Sequence, residues 1–157
     1  MTSPPYMLRE YAPSDFDALY KLDQLCFPPA IAYPKSTLRH FLKQPGAVCV
    51  VAESGAAIVG FLIAERDGAT GHIVTLDIAP ECRRRGIGSA LLEDAERRLF
   101  AAGVQEVEIE TATANEAGVA FWQRHGYGAS GILSGYYEDG QDAYAMRKEL
   151  KLKRRTR

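Results

Sequence analysis

The chain of 157 residues reads as a mixed α/β fold, and three observations carry that reading. Stretches of alternating and of helix-period hydrophobicity follow one another in the order β-α-α-β-β-β-α-β-α-β-β. A turn rich in arginine and glycine, Arg83-Arg-Arg-Gly-Ile-Gly88, joins a strand pattern to a helix pattern in mid-chain. No repeat, low-complexity tract or linker breaks the order, so residues 1–150 are expected to form one domain and residues 151–157 a basic tail.

Residues 6–11 read as the first strand. Ser14 is the expected cap of the first helix, with Asp17 three residues on and Phe16, Leu19, Leu22 and Leu25 as its apolar stripe. Residues 26–34, Cys-Phe-Pro-Pro-Ala-Ile-Ala-Tyr-Pro, cannot be regular, because proline fixes φ and removes a donor. A short helix with Leu38, Phe41 and Leu42 follows and stops at Pro45-Gly46. Residues 47–53 and 56–65 make a hairpin about Ser54-Gly55, and 71–79 the next strand. The central helix is expected over 89–102, with Leu91, Leu92, Ala95 and Leu99 inward and Gly103 closing it. Residues 104–111 are a strand, 115–125 a helix, and 127–133 with 143–150 a closing hairpin.

A composition of 46 % hydrophobic and 25 % charged residues suits a globular chain large enough to bury a core. The formal net charge is −1, yet the last seven residues hold five Lys or Arg. Without them 14 basic stand against 20 acidic residues, an acidic body that mildly favours a cationic substrate such as an amine. The tail has no interleaved aromatics, so it reads as a solvated end and no nucleic-acid partner is expected. Cys26, Cys49 and Cys82 are odd in number and lack CxxC spacing, which argues against disulfides or a metal site. The start lacks the pattern of a signal peptide, and the longest apolar run, residues 56–64, is too short to cross a bilayer. A cytoplasmic protein without a membrane partner, monomeric or homodimeric, is the expectation.

Residues 77–92, Asp-Ile-Ala-Pro-Glu-Cys-Arg-Arg-Arg-Gly-Ile-Gly-Ser-Ala-Leu-Leu, are the most informative segment. Glycines at a strand-to-helix turn let backbone N–H groups approach an anion, and the helix N-terminus favours negative charge there. Arg83, Arg84 and Arg85 add full charges, so the segment reads as a pyrophosphate cradle. A dinucleotide fingerprint would need Gly-x-Gly-x-x-Gly after the first strand, and a P-loop would need Gly-Lys-Ser/Thr; neither is present.

The turn Arg83-x-x-Gly86-x-Gly88 resembles the Arg/Gln-x-x-Gly-x-Gly/Ala motif of the GNAT superfamily of N-acetyltransferases. Residues 115–127, Asn-Glu-Ala-Gly-Val-Ala-Phe-Trp-Gln-Arg-His-Gly-Tyr, resemble that superfamily's second motif. Residues 135–146 look like the closing hairpin of the branch that acetylates ribosomal-protein and other protein N-termini. The resemblance implies the acyl-CoA N-acyltransferase fold, a mostly antiparallel sheet whose parallel fourth and fifth strands splay apart, flanked by helices. It implies acetyl-CoA as cofactor, with the backbone of Leu76, Asp77 and Ile78 bonding the pantetheine arm like an added strand. Arg83, Arg84, Arg85, Gly86, Ile87, Gly88 and Ser89 would hold the pyrophosphate. Asn115, besides capping its helix, and Trp122 would touch the cofactor.

The implied partner is an amine, a protein or peptide N-terminus being favoured. An α-amine with a pKa of roughly 7.7–8.0 is about a fifth neutral near pH 7.4, whereas a lysine is neutral about a thousandth of the time, so a modest base suffices. Glu106, Glu108 and Glu110 share one face of a strand, and Glu110, at its end, matches the position of the glutamate proposed as base in that branch. A backbone N–H near Ile78 would hold the thioester oxygen. Where the branch usually carries a tyrosine seven residues after the motif asparagine, this chain has Trp122, whose indole cannot serve as an acid. The thiolate then leaves unassisted or takes its proton from Tyr137, with Tyr136 and Tyr127 next in order. Tyr33, in the proline-rich segment, and Tyr136 are expected to contact substrate. His40, His72 and His125 share no motif spacing and read as structural or exposed, and Cys82 as a space filler. A small-amine acetyltransferase and a non-catalytic acyl-CoA-binding module remain the alternatives.

Overall fold

The computed structural model describes residues 5–151. Its elements are β1 (Met7–Glu10), α1 (Phe16–Cys26), α2 (Lys35–Lys43), β2 (Val48–Ser54), β3 (Ala57–Asp67), β4 (Thr70–Ile78), α3 (Ile87–Ala101), β5 (Glu106–Ala112), α4 (Glu116–Arg124), β6 (Gly128–Leu133) and β7 (Ala143–Glu149). The strands form one sheet in the order β1-β2-β3-β4-β5-β7-β6. Each neighbouring pair is antiparallel except β4 with β5. Helix and strand order and the mixed sheet are those expected from the sequence.

Helices cover both faces of the central strands, which explains their unbroken apolar runs. Val50, Ala52, Leu62 and Ala64 face α3 and its Leu91, Leu92, Ala95 and Leu99. Val51, Phe61 and Ile63 face the other way, against Leu19 and Leu22 of α1 and Leu38 of α2.

The feature that builds a site is the divergence of β4 from β5. They pair only where Thr70–His72 meets Glu106–Glu108, although β4 runs on to Ile78 and β5 to Ala112. A bulge in the β3–β4 pairing, between Ile63 and Ala64, adds local twist just where β4 leaves its parallel neighbour. The result is a wedge between two strands, each still hydrogen-bonded on its far edge.

Several local expectations are corrected. Ser14 does not cap α1; a 3-10 turn, Pro13–Asp15, precedes the helix, and the Asp15 carboxylate accepts the Ala12 N–H at 2.8 Å. Asp15 wins because Arg9 of β1 grips it with two bonds of 2.8 and 2.9 Å. Leu25 is 65 % exposed and not part of the stripe. Helix α3 begins at Ile87, two residues before Ser89, because Gly86 at φ +81° turns the chain at once. The tail beyond Lys151 lies outside the described residues.

Candidate active site

The wedge opens into a cleft of about 1140 Å³ that runs from the arginine–glycine turn to the β6–β7 connection. At one end lies the turn. Pro80–Cys82 form a 3-10 turn, Arg84 takes a left-handed φ of +66°, and Gly86 follows at +81°. Among the described residues, the backbone N–H groups of residues 84–89 have no acceptor within the protein, whereas Arg83 N–H is bonded to Pro80 and Ala90 N–H to Gly86. Six free amides in sequence, the last three opening a 15-residue helix, are an arrangement that can receive an anion.

The three arginines part company. Arg84 lines the cleft, while Arg83 also turns back so that its Nε donates to the Ile78 carbonyl at 3.2 Å. Arg85 faces a separate hollow with Tyr6 and Ser54, so its side chain is not in the cleft as expected. Ser89 lines the cleft, and its hydroxyl lies 2.9 Å from His125 Nε2, tying α3 to the end of α4. Gly88 faces Phe121 of α4, where a Cβ would sit 3.4 Å from the ring.

Along the wedge, Ala79 N–H donates to Val59 on β3, so the alternation of an antiparallel ladder turns Leu76 and Ile78 outward. Their N–H groups have no partner among the described residues and point where β5 would otherwise lie. Asp77 is different: its backbone faces β3, and its side chain, 1 % exposed, lies beside Thr75 and Asp23 beneath α1. Only two of the three expected backbone positions therefore face the cleft. The Ile78 carbonyl also receives the Cys26 thiol at 3.3 Å; burial pushes that thiol up to about 11, which makes it a poor nucleophile.

At the far side stands Glu110, just past the last β4–β5 pair. Its Oε1 accepts from His72 Nε2 at 2.7 Å and from the Tyr136 hydroxyl at 3.1 Å. Burial by itself would raise this carboxyl, but the His72 contact outweighs it and holds the group below its ordinary value. The reading of His72 as merely structural or exposed is corrected: its partners Glu65 and Glu110 lie on the two neighbouring strands, and only the strand register brings them to the ring.

Tyr136 and Tyr137 both line the cleft with rings edge to face at 5.0 Å. Burial first, then the Glu110 anion for Tyr136 and the Tyr136 and Glu110 groups for Tyr137, push both phenols up to about 12. Tyr33 lines the same end, its backbone N–H held by Asp23 Oδ2 at 2.8 Å. Trp122 touches the cleft but is mostly core, 8 % exposed, with its ring edge-on to Phe121 at 5.0 Å and Tyr127 at 5.3 Å. Tyr127 is removed as an acid: it is 2 % exposed and its hydroxyl donates to Glu96 at 2.7 Å. Asn115 caps α4 by accepting Gly118 N–H at 3.0 Å and lines the cleft as well. Gly118 was not singled out in the sequence; a Cβ there would meet Asn115 Nδ2 at 2.6 Å, so the cap requires glycine.

Residues 16–127, most of this framework, match the acetyltransferase (GNAT) family. The chain belongs to that family. It is similar to an uncharacterized N-acetyltransferase of Methanocaldococcus jannaschii, 33 % identical over 144 residues that cover 91 % of each chain. An N-alpha-acetyltransferase of Sulfurisphaera tokodaii is 27 % identical over 158 residues, covering 92 % of this chain and 93 % of that one. Among solved structures, Ard1 from Thermoplasma volcanium superposes with a TM-score of 0.87 at 21 % identity, covering 94 % of this chain and 99 % of that one, which speaks for the fold. GNAT acetyltransferases use acetyl-CoA, and this member is an N-acetyltransferase.

Proposed function

We propose that this GNAT member transfers the acetyl group of acetyl-CoA to the N-terminal α-amine of a protein or peptide, by direct attack in a ternary complex. The observation that carries the reading is the wedge itself: free amides at the cradle and again at Leu76 and Ile78 along one cleft, with an ionised carboxylate at its far side. The cradle fits a diphosphate, since its six N–H groups have no other acceptor among the described residues and Gly86 has no Cβ to stand before them. Arg84, Gly86, Ile87, Gly88 and Ser89 would hold that group, with Arg83 and Arg85 adding backbone or field; the Leu76 backbone would bond the pantetheine arm, leaving the Ile78 N–H for the acyl end. Asn115 and the exposed edge of Trp122 would complete that wall.

Acetyl-CoA supplies the thioester that makes the acyl group transferable. The Ile78 N–H, without a partner among the described residues, would stabilise the oxygen of the reacting carbonyl, where removing such a donor typically costs roughly 2.7–4 kcal/mol of barrier. Glu110, held ionised, would accept the ammonium proton directly or through water, and Tyr137, whose hydroxyl has no hydrogen-bond partner among the described residues, would protonate the leaving sulfur. Tyr33 and Tyr136 would flank the incoming amine. The choice of an α-amine rests on the name of the Sulfurisphaera relative and on Glu110 being a mild base, adequate for an amine of pKa roughly 8 and weak for a lysine.

Two measurements test the proposal. Acetyl-CoA, but not NAD or ATP, should raise the melting temperature; no shift refutes the cradle. Free-thiol release should be seen with short peptides and be lost when their α-amine is blocked. Activity that survives the block, or appears only with polyamines, refutes the N-terminal assignment; cofactor binding without turnover on any amine marks a non-catalytic module.

A further inference from the structure

Glu65 of β3, His72 of β4 and Glu110 of β5 form a row across three adjacent strands. The register sets Glu65 opposite His72 and His72 opposite Glu108, one same-face step before Glu110. His72 Nδ1 lies 3.1 Å from Glu65 Oε1, and Nε2 lies 2.7 Å from Glu110 Oε1. An ionised carboxylate only accepts, so both ring nitrogens must donate, and an imidazole that donates twice is the cation. Among the described residues no lysine or arginine pairs with Glu65 or Glu110, so His72 is their shared counter-ion.

We propose that His72 is a positioning residue that holds Glu110 as a fixed anion at the wall of the cleft, with Glu65 securing the imidazolium from behind. This rests on the reading of Glu110 as the group that receives the amine proton. The arrangement leaves the row with a net charge of −1, which suits a positively charged α-ammonium arriving at Glu110. Its orientation is over-determined: Tyr136 donates to the same oxygen of Glu110, leaving Oε2 for the substrate. The other titratable groups near the row are Glu108 opposite His72, Tyr136 and Tyr137 from the β6–β7 connection, and Tyr33 from the segment after α1. Burial alone would lower the imidazolium and raise the carboxyl; the two contacts reverse both directions.

The test reads His72 and the reaction separately. In ¹⁵N NMR of the whole protein, with the signal assigned by its loss in His72→Gln, the ring should be protonated on both nitrogens at neutral pH. Glu110→Gln should lower its titration by about one unit or more, and Glu65→Gln should lower it too, the scale expected for an opposite charge at this range. A neutral ring at neutral pH, or a titration that Glu110→Gln leaves in place, overturns the proposal whether or not any peptide is acetylated. In kcat/KM against pH with a peptide substrate, His72→Gln, which keeps an N–H donor without charge, should move the acid limb up by about one unit, while Glu110→Gln should remove that limb and leave only the one of the substrate ammonium, at a pH of roughly 8. An acid limb unmoved in His72→Gln but lost in Glu110→Gln sinks the role of His72 and leaves Glu110 standing. Failure of the wild type to acetylate any peptide sinks the functional reading, and the NMR result then decides the ion row by itself.

Discussion

The Tyr33 hydroxyl donates to the Val74 carbonyl across 3.2 Å, fastening the irregular segment after α1 to the strand that edges the wedge. The phenol thereby stands over the outward carbonyl of Val74, next to the free N–H groups of Leu76 and Ile78. Tyr33→Phe should cost about 0.5–1.5 kcal/mol of stability, the usual net worth of one hydrogen bond. It should raise KM for the amine several-fold while leaving acetyl-CoA affinity unchanged; urea melts and kinetics with one peptide check both. An equal loss for cofactor and amine would place Tyr33 elsewhere in the mechanism.

Gly86 is at φ +81°, with open space where a Cβ would be. Gly86→Ala meets no clash, so its penalty is conformational, roughly 1–2 kcal/mol for a left-handed non-glycine residue. A lower melting temperature is expected, together with a smaller stabilisation by acetyl-CoA because the relaxed turn misaligns its amides. Undiminished stabilisation by acetyl-CoA would show that the turn does not hold the ligand.

Asp23 Oδ1 and Asp77 Oδ2 are buried without a partner if both groups are ionised, and a proton on Asp77 shared with Asp23 satisfies both. Burial first, then the Asp23 carboxylate, raises the Asp77 carboxyl well above its ordinary range. The folded state then keeps a proton that the unfolded chain releases near pH 3.9, so stability is full below that pH and declines as pH rises through the folded value. The slope is at most about 1.4 kcal/mol per pH unit. Asp77→Asn keeps a donor at all pH values and should gain on the wild type steadily from about pH 4 upward in urea melts. Parallel curves for the two proteins would exclude the shared proton.

Glu110→Gln should lower kcat by roughly 10²–10⁴-fold, the usual worth of a positioned base, and raise the pH of half-maximal rate. Tyr137→Phe should reduce kcat with little change in KM, whereas Tyr136→Phe, which takes one of the two donors from Glu110 Oε1, should shift the acid limb upward and raise KM. Equal behaviour of the two tyrosine variants would deny Tyr137 a separate role as acid.

What could be read in advance was local. The arginine–glycine turn, the Asn115 cap and the alternation that puts Glu110 on a different face from Val107 and Ile109 are each contained within a few residues, and the structure has them. What escaped was set across strands. His72 looked unremarkable because nothing near it in the chain is acidic in the right direction, yet the β3–β4–β5 register puts a carboxylate at each ring nitrogen. Arg85 looked like Arg83 and Arg84, but a left-handed residue at Arg84 sends their side chains to different surfaces. Ser14 matched a capping pattern and lost to Asp15, which a strand arginine holds in place.

The order of elements, the glycine turn and the run of free amides at the start of α3 follow from sequence alone, because periodicity, missing Cβ atoms and free helix-terminal N–H groups are properties of neighbouring residues. The opening of the wedge, the outward turn of Leu76 and Ile78, the ion row through His72 and the burial of Asp77 were decided only on folding. Each depends on which strands lie side by side and in what register, and pairing between distant segments is settled by the whole core at once.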